Sequence, residues 1–273
     1  MYPTPIGGAV NALNPVFTQS LAGCIGIERE FTLMQNGESV PRSPEFLAHM
    51  AKRMQSLGLN TERWAPELSA CQVEDRTLPQ HTAYGLSDDL DSAQKMGCNV
   101  AEKMSCLMQA VEVVPAHVAC HVHEKYLHLR EKLPRSVLMA AYRVAGVHVH
   151  IGCASLQQAV EFHDALCTEL PAIVHMTDHT NGERLGLYHQ VVAHTMGVYA
   201  PHLPGTSPLY KSITGWEDRM RALGVTKLAE CYDLVRISHY GTVELRTPGM
   251  TDSVDEIIGW VERIRSLVGL PIF

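Results

Sequence analysis

The chain has 273 residues, with 22 lysines and arginines against 29 aspartates and glutamates, a formal net charge of −7. With 46% hydrophobic and 19% charged residues it can bury a large core, which excludes a disordered chain. Its basic residues are scattered singly, so nucleic acid and anionic membranes are set aside as partners. We find neither a signal peptide nor an apolar run of membrane-spanning length, and therefore expect a cytoplasmic protein.

The first half of the chain predicts an extended N-terminal arm over residues 1–20, followed by one domain over 21–273. Strands are predicted over 24–34 and 62–77. A helix is predicted over 43–58, because Pro44 suits a first helical turn and Gly58 follows the apolar stripe. A second helix is predicted over 82–109.

The second half predicts a β-rich segment over 111–122, a helix over 134–144 and a strand over 145–153. Ser155 is expected to cap a helix that Pro171 kinks or restarts, and residues 182–214 are predicted to form a long functional loop. A last strand over 234–247 and a last helix over 251–267 follow. Several strands lie too close in sequence for helical crossovers, which favours an α+β fold with a largely antiparallel sheet.

Eight cysteines and 15 histidines are present. The cysteines include no C-x-x-C pair, which predicts reduced and mostly buried thiols. The number of histidines is high for a chain of this length, so a metal-binding function has to be weighed.

Polar side chains occupy alternate positions of the predicted strands, and residues two apart on a strand share one face. The pairs are Glu28 with Glu30, His148 with His150, and Glu244 with Arg246. Each pair also has a plain structural explanation: a solvated face, hydrogen-bonded core histidines, or an ion pair. Glu67 and Glu74 are seven residues apart, and they can reach one site only across a turn or bulge.

These faces together predict an acidic sheet surface that binds metal. Mg²⁺ prefers oxygen ligands, and several carboxylates with an imidazole could hold more than one ion while nucleotide phosphates complete the coordination shells. The chain has neither a Walker A motif nor a dinucleotide-binding glycine motif, so a nucleotide would be held through metal and arginine.

Four motifs occur in order: GIEREF at 26, ELSACQVED at 67, GVHVHIGCAS at 146 and HYGTVELRTPGMTD at 239. Together they resemble the carboxylate-amine ligases of the glutamate-cysteine ligase family 2, over residues 24–257. The resemblance implies a glutamine synthetase/guanido kinase-like catalytic fold, a curved antiparallel sheet with helices on its outer face. It also implies ATP and two or three Mg²⁺ ions, with Mn²⁺ as an alternative, and activation of a carboxylate such as the γ-carboxylate of glutamate as an acyl phosphate. An amine such as that of cysteine then attacks this intermediate.

The resemblance also assigns roles to individual residues. It places the metal ligands at Glu28, Glu30, Glu67, Glu74, His148 and Glu244. It gives Arg246 a contact with phosphate or substrate carboxylate and a catalytic role shared with Glu244. His150 is expected to line the nucleotide or metal site without being a direct ligand, and Arg184 is the guanidinium nearest to an arginine that many family members carry.

Two other hypotheses stay open. Family members continue through a further helical segment, so this chain could be a shortened, non-catalytic module that binds nucleotide or a small ligand. A zinc hydrolase is the other hypothesis, although the spacing of His123 and His128 misses the i, i+4 geometry of zinc-protease helices. The expected partners are small-molecule carboxylate and amine substrates, and a homo-oligomer in which a partner subunit closes the site is compatible with the sequence.

Overall fold

The computed structural model describes residues 13–115, 121–196 and 207–273. Its strands are β1 (Ile25–Gln35), β2 (Glu38–Ser39), β3 (Trp64–Pro66), β4 (Gln72–Arg76), β5 (Leu107–Gln109), β6 (Val147–Gly152), β7 (Val235–Ile237) and β8 (Thr242–Leu245). Its α-helices are α1 (Ser43–Ser56), α2 (Ala83–Lys103), α3 (Leu127–Arg130), α4 (Arg135–Arg143), α5 (Leu156–Thr168), α6 (Leu170–Thr177), α7 (Glu183–Met196), α8 (Ile213–Leu223) and α9 (Val254–Leu267).

The strands form one mixed-length sheet in the order β3-β4-β1-β6-β8-β7, with β2 and β5 pairing with further parts of β1. Each of these strand pairs is antiparallel. The long strand β1 therefore lies between β4 and β6, each of which carries a polar motif. The predicted α+β class with a largely antiparallel sheet is confirmed.

The helix ends follow from local capping. Pro44 lies in the first turn of α1, and Gly58, with a φ of 67°, lies just beyond the end of the helix. The Ser155 side chain accepts a hydrogen bond from the Gln158 N–H at the start of α5, and α6 restarts with a proline in its first turn. These signals are short-range, so the corresponding predictions are confirmed.

The apolar face of the sheet and the helices share one core. Ile25, Ile27, Phe31 and Leu33 of β1 are buried in a cluster that also includes apolar residues of α1, α2, α5 and α9. Since successive side chains of a strand point to opposite faces, Glu28 and Glu30 lie on the other face. The helices thus fix the sheet from one side and leave its polar face for the site.

A buried ion network lies within this otherwise apolar packing. Arg29 is fully buried, and its Nη2 lies 2.7 Å from Oδ2 of Asp75 and donates to the Leu90 carbonyl of α2 at 2.8 Å. The second oxygen of Asp75 accepts from Nε of Arg63 at 2.6 Å. The network joins β1, β4 and α2.

Several predicted boundaries are wrong because long-range pairing decides them. The single strand predicted over 234–247 is a hairpin of β7 and β8, whose turn uses Gly241 at a φ of 70°. The strand predicted over 62–77 is divided into β3 and β4, and the helix predicted over 82–109 ends at Lys103. Ser105, at a φ of 56°, then turns the chain into β5.

Two segments differ in kind from their prediction. Residues 183–196 of the expected loop form α7, and α8 begins after the Ser212 cap; residues 197–206 lie outside the described residues. The segment 111–122 was expected to be β-rich, but in its described part it makes only isolated bridges, Val113 to Val144 and Val122 to Ser69. The loop over 182–214 was predicted from its prolines, and the β-rich segment over 111–122 from its β-branched residues.

Within the described ranges, no helix combines the length and the apolar character needed to cross a membrane. The cysteines of the described residues form no disulfide, and all of them except Cys98 are buried. The prediction of mostly buried thiols is therefore confirmed for this part of the chain, and their reduced state stays a prediction.

Candidate active site

The register of three antiparallel pairings brings the polar motifs together. Glu28 lies opposite His148, Glu30 lies opposite Glu74, and His150 lies opposite Glu244. Side chains directly opposite each other on one face are near neighbours. Residues from four separate motifs therefore meet on one surface, which is formed by the strands β4, β1, β6 and β8.

The first group of candidate metal ligands consists of Glu28, Glu74 and His148, each of which offers one atom within 4.8 Å of the others. Nδ1 of His148 lies 3.1 Å from Oε2 of Glu28, and its Nε2 lies 3.5 Å from Oε1 of Glu30. His148 is buried, and its contacts with the two carboxylates orient its ring. Two carboxylates and one imidazole are a donor set that suits Mg²⁺ or Mn²⁺.

The second group consists of Glu28, His150 and Glu244, each of which also offers one atom within 4.8 Å of the others. Nδ1 of His150 lies 3.0 Å from the hydroxyl of Thr242, while its Nε2 is buried without a hydrogen bond, 3.4 Å from Oε2 of Glu28. A buried nitrogen that lacks a hydrogen bond and is oriented by a partner at the other ring nitrogen fits a metal ligand. The structure therefore places His150 among the candidate metal ligands, and its contact with a nucleotide stays a prediction.

Glu28 belongs to both groups and is the centre of the site. Burial raises the pKa of Glu28, but the charge of His150 and the hydrogen bond with His148 outweigh it and hold that pKa well below its usual range. The carboxylate is therefore ionised at neutral pH and can serve two cations at once.

Glu67 and Glu74 reach the same surface because the chain turns between them. β3 ends at Pro66 and β4 begins at Gln72, which is the bend that their odd spacing requires. Burial and the charges of Glu30 and Glu28 raise the pKa of Glu67 to about 8. Burial and the charges of Glu28 and Glu67 likewise raise the pKa of Glu74 well above its usual range. Ionisation of the carboxyl groups at this end of the site is therefore unfavourable without a cation, and a bound cation would favour it.

Glu244 is held by two arginines. Arg236 contacts both of its oxygens, with Nε at 2.7 Å from Oε2 and Nη2 at 3.0 Å from Oε1, and Arg246 contacts Oε1. Burial alone raises the pKa of Glu244, but the charges of Arg236 and then Arg246 lower it below its usual range. The same-face ion pair of Glu244 and Arg246 is present, and it lies within the candidate metal site.

The site contains two residues that were not predicted from the sequence. Arg236 lies opposite Glu244 in the β7–β8 pairing, a position that becomes visible only when the hairpin is recognised. The hydroxyl of Tyr188 lies 3.3 Å from Nε of Arg246 and is carried by α7, which was predicted to be a loop. The apolar residues of α7 at positions 185 and 192, both buried, were the available helical signal.

Arg184 differs from Arg246 in its contacts. Its Nε donates to the Ala145 carbonyl at 2.6 Å, and its Nη1 and Nη2 donate to the carbonyls of Thr247 and Arg246 at 3.0 and 3.3 Å. The guanidinium is thus engaged by main chain on all three nitrogens. Its contact with a nucleotide stays a prediction.

The histidine pair behind the zinc hypothesis lies apart from this surface. His123 accepts a hydrogen bond from the Lys125 N–H and caps a short 3-10 helix, and His128 lies in α3. In the part of the chain that the structure describes, neither histidine belongs to a group of candidate metal ligands.

The antiparallel sheet and its helices form a glutamine synthetase-like fold. Plasmodium falciparum glutamine synthetase has a similar fold, with a TM-score of 0.50 at 10% identity over 90% of this chain and 51% of that chain. A model of the family described as glutamate-cysteine ligase family 2 (GCS2) matches residues 24–175, more than half of the chain. The chain therefore belongs to glutamate-cysteine ligase family 2.

Two curated relatives agree with this assignment. A protein of Methylibium petroleiphilum, provisionally named glutamate-cysteine ligase 2, is 24% identical over 255 residues. A glutamate-cysteine ligase of Natronomonas pharaonis is 24% identical over 254 residues. The matches cover 88% and 90% of this chain but 66% and 69% of the relatives, so the chain spans about two thirds of their length.

Proposed function

We propose that the chain is an ATP- and Mg²⁺-dependent ligase that joins a small carboxylate to an amine. The γ-carboxylate of glutamate and the amine of cysteine are the first candidates, because both curated relatives carry the name glutamate-cysteine ligase. The observation that carries the proposal is the position of Glu28 in two groups of candidate metal ligands on one sheet face. Two adjacent cation positions suit a reaction on a polyphosphate.

The reaction would proceed in two steps. An oxygen of the substrate carboxylate attacks the γ-phosphorus of ATP, which forms an acyl phosphate and releases ADP. The amine nitrogen then attacks the acyl carbon, loses its proton and expels phosphate, which leaves an amide. Phosphoryl transfer of this kind depends mainly on positioning and charge neutralisation, and needs no covalent residue of the protein.

Named residues of the chain would supply these functions. Glu28, Glu74 and His148 would hold one Mg²⁺, and Glu28, His150 and Glu244 a second; when bound, the ions neutralise phosphate charge. Arg246, oriented by the hydroxyl of Tyr188 at 3.3 Å, would bind a phosphate or the substrate carboxylate. Glu30 keeps His148 oriented through the contact of its Oε1 with Nε2 at 3.5 Å.

The decisive experiment measures ATP-dependent phosphate release by the purified protein with Mg²⁺, glutamate and a panel of amines that includes cysteine. We expect release that requires both a carboxylate and an amine, and that Glu28→Gln abolishes. The matched control is Glu38→Gln, a change at an exposed position of β2, which should leave the rate unchanged. ATP binding without phosphate release for any acid or amine would contradict the ligase and favour the non-catalytic binding module.

A further inference from the structure

One peptide unit connects Arg184 to the candidate metal site. Nε of Arg184 donates to the Ala145 carbonyl at 2.6 Å, and the N–H of the same peptide unit, which belongs to Gly146, donates to Oε2 of Glu30 at 2.7 Å. The peptide group is planar, so fixing its carbonyl also fixes the direction of its N–H. Arg184 thereby sets the hydrogen bond that orients Glu30.

The other end of the guanidinium holds the main chain beside Arg246. Nη1 and Nη2 donate to the carbonyls of Thr247 and Arg246, at 3.0 and 3.3 Å. Arg184 therefore joins the segment that enters β6 to the segment that leaves β8. A planar fork of N–H donors can make these three contacts together, whereas a lysine ammonium at the end of a flexible stem cannot reproduce their geometry.

Gly146 provides an independent observation of the same contact. A Cβ at position 146 would lie 1.9 Å from Nη2 of Arg184, so only glycine leaves room for the guanidinium. The guanidinium of Arg184 thus explains, without any bound ligand, why the GVHVHIG segment begins with a glycine.

The burial of Arg184 also points to a role within the protein. Only 3% of the residue is exposed, and none of the ion pairs found among the described residues includes it. Burial lowers the pKa of Arg184, while the charges of Glu30 and Glu112 oppose this effect. Its positive charge is therefore balanced through space by the carboxylates of Glu30 and Glu112.

We propose that Arg184 is a positioning residue, which holds the Ala145–Gly146 peptide and the main chain at Arg246 so that Glu30 and Arg246 face one cation-binding surface. Arg184 itself makes no contact with the nucleotide. The expected effect of Arg184 on ligase kinetics rests on the proposed function, but its expected effect on metal binding does not.

The test compares Arg184→Lys with Arg265→Lys, a matched control. Arg265 is also buried, and it donates to the carbonyls of Pro271 and Gly23 away from the site. Calorimetry with Mn²⁺ alone should show about tenfold weaker binding for Arg184→Lys and unchanged binding for Arg265→Lys. In the ligase assay, Arg184→Lys should lower kcat and leave KM for ATP unchanged. A raised KM for ATP with wild-type Mn²⁺ affinity would overturn the proposal, because that result indicates direct nucleotide contact.

Two further variants keep the test decisive if Arg184→Lys does not fold. Gly146→Ala retains the arginine but displaces it, and should weaken Mn²⁺ binding in the same direction. In the Glu30→Gln background, the second change at Arg184 should cause no additional loss of Mn²⁺ affinity, because Arg184 acts on the candidate metal ligands through Glu30. Fully additive losses would overturn this coupling. If the wild-type protein binds Mn²⁺ but releases no phosphate, the proposed ligase activity fails, whereas the Mn²⁺ comparison still decides the role of Arg184.

Discussion

At the scale of single residues, Glu28 differs from the other carboxylates of the site because it belongs to both groups of candidate ligands. Glu28→Gln replaces an anionic ligand with a neutral amide and should remove Mn²⁺ from both positions. Glu74→Gln changes only the first group and should leave one Mn²⁺ bound. Calorimetry in the absence of nucleotide measures both stoichiometries.

The exposed Glu38 of β2 supplies the control, since Glu38→Gln changes charge by the same amount away from both groups. Its stoichiometry should equal that of the wild-type protein. Loss of only one Mn²⁺ ion in Glu28→Gln would show that the two cation positions do not share Glu28 as a ligand.

Alternation along single strands was enough to predict which polar side chains share a face of the candidate site. Glu28, Glu30, His148 and Glu244 lie together on one face as the period of two requires. Arg236 could not be predicted in this way, because its position opposite Glu244 depends on a turn that divides one apparent strand into two. Pairing register is a property of two segments, and a pattern within one segment does not contain it.

At the scale of elements, the ion network of Arg29 joins β1, β4 and α2 within the core. The side chains of Arg29 and Asp75 are both fully buried. Asp75→Asn would leave Arg29 and Arg63 without their shared carboxylate, and should lower the free energy of unfolding by about 3 to 5 kcal/mol. Urea unfolding at pH 7 measures the loss.

The matched control for this prediction is Asp218→Asn on α8, where the pair with Arg221 is exposed on both sides. That change should alter the free energy of unfolding by less than about 0.5 kcal/mol. Equal effects of the two changes would show that the buried network contributes no more than a surface ion pair.

His179 connects three segments of the chain through its two ring nitrogens. Nδ1 contacts Glu112 at 2.5 Å and Nε2 contacts Glu256 of α9 at 2.9 Å. Burial alone lowers the pKa of His179, but the bonds and charges of Glu112 and Glu256 raise it. Its stabilisation is therefore complete below the ordinary pKa of histidine, near 6.5, and is lost as pH rises through the higher folded value.

We expect His179→Gln to be less stable than the wild-type protein at pH 6, with a difference that shrinks as pH rises. Urea unfolding of both proteins across this range checks the sign. His49→Gln, at an exposed histidine of α1, should track the wild-type protein throughout. A difference for His179→Gln that does not vary with pH would contradict the prediction.

Element boundaries were predictable where the chain signals them locally. Capping at Ser155 and Ser253, and the proline in α1, are contacts within one helical turn. The limits of α2 and α7 were not predictable in this way. Ser105 takes its left-handed conformation where the chain turns to pair with β1, and α7 is stabilised by packing that proline-rich neighbours obscure in the sequence.

At the scale of the whole molecule, the fold places like charges together. Glu28, Glu30, Glu67 and Glu74 meet on one face of the sheet, where burial and, after it, the charges of Glu30 and Glu28 raise the pKa of Glu67 to about 8. A folded-state pKa above the ordinary value of about 4.3 means that this group's contribution to stability is lost as pH rises toward 8. The metal-free protein therefore loses stability from this end of the site across that range, and cations that bind the folded state should restore it.

We accordingly expect Mn²⁺ to raise Tm, and to raise it more at pH 8.5 than at pH 6.5, because at the lower pH protons compete for Glu67 and Glu74. At a concentration 100 times its Kd, an ion that binds only the folded protein adds about 2.7 kcal/mol, which corresponds to a rise in Tm of about 5 to 10 °C. Calorimetric scans with Mn²⁺ and with a chelator measure this shift. Glu28→Gln should abolish most of this rise in Tm, and Glu38→Gln should leave it unchanged. An equal rise in all three proteins would mean that Mn²⁺ acts through the general surface charge and not through this site.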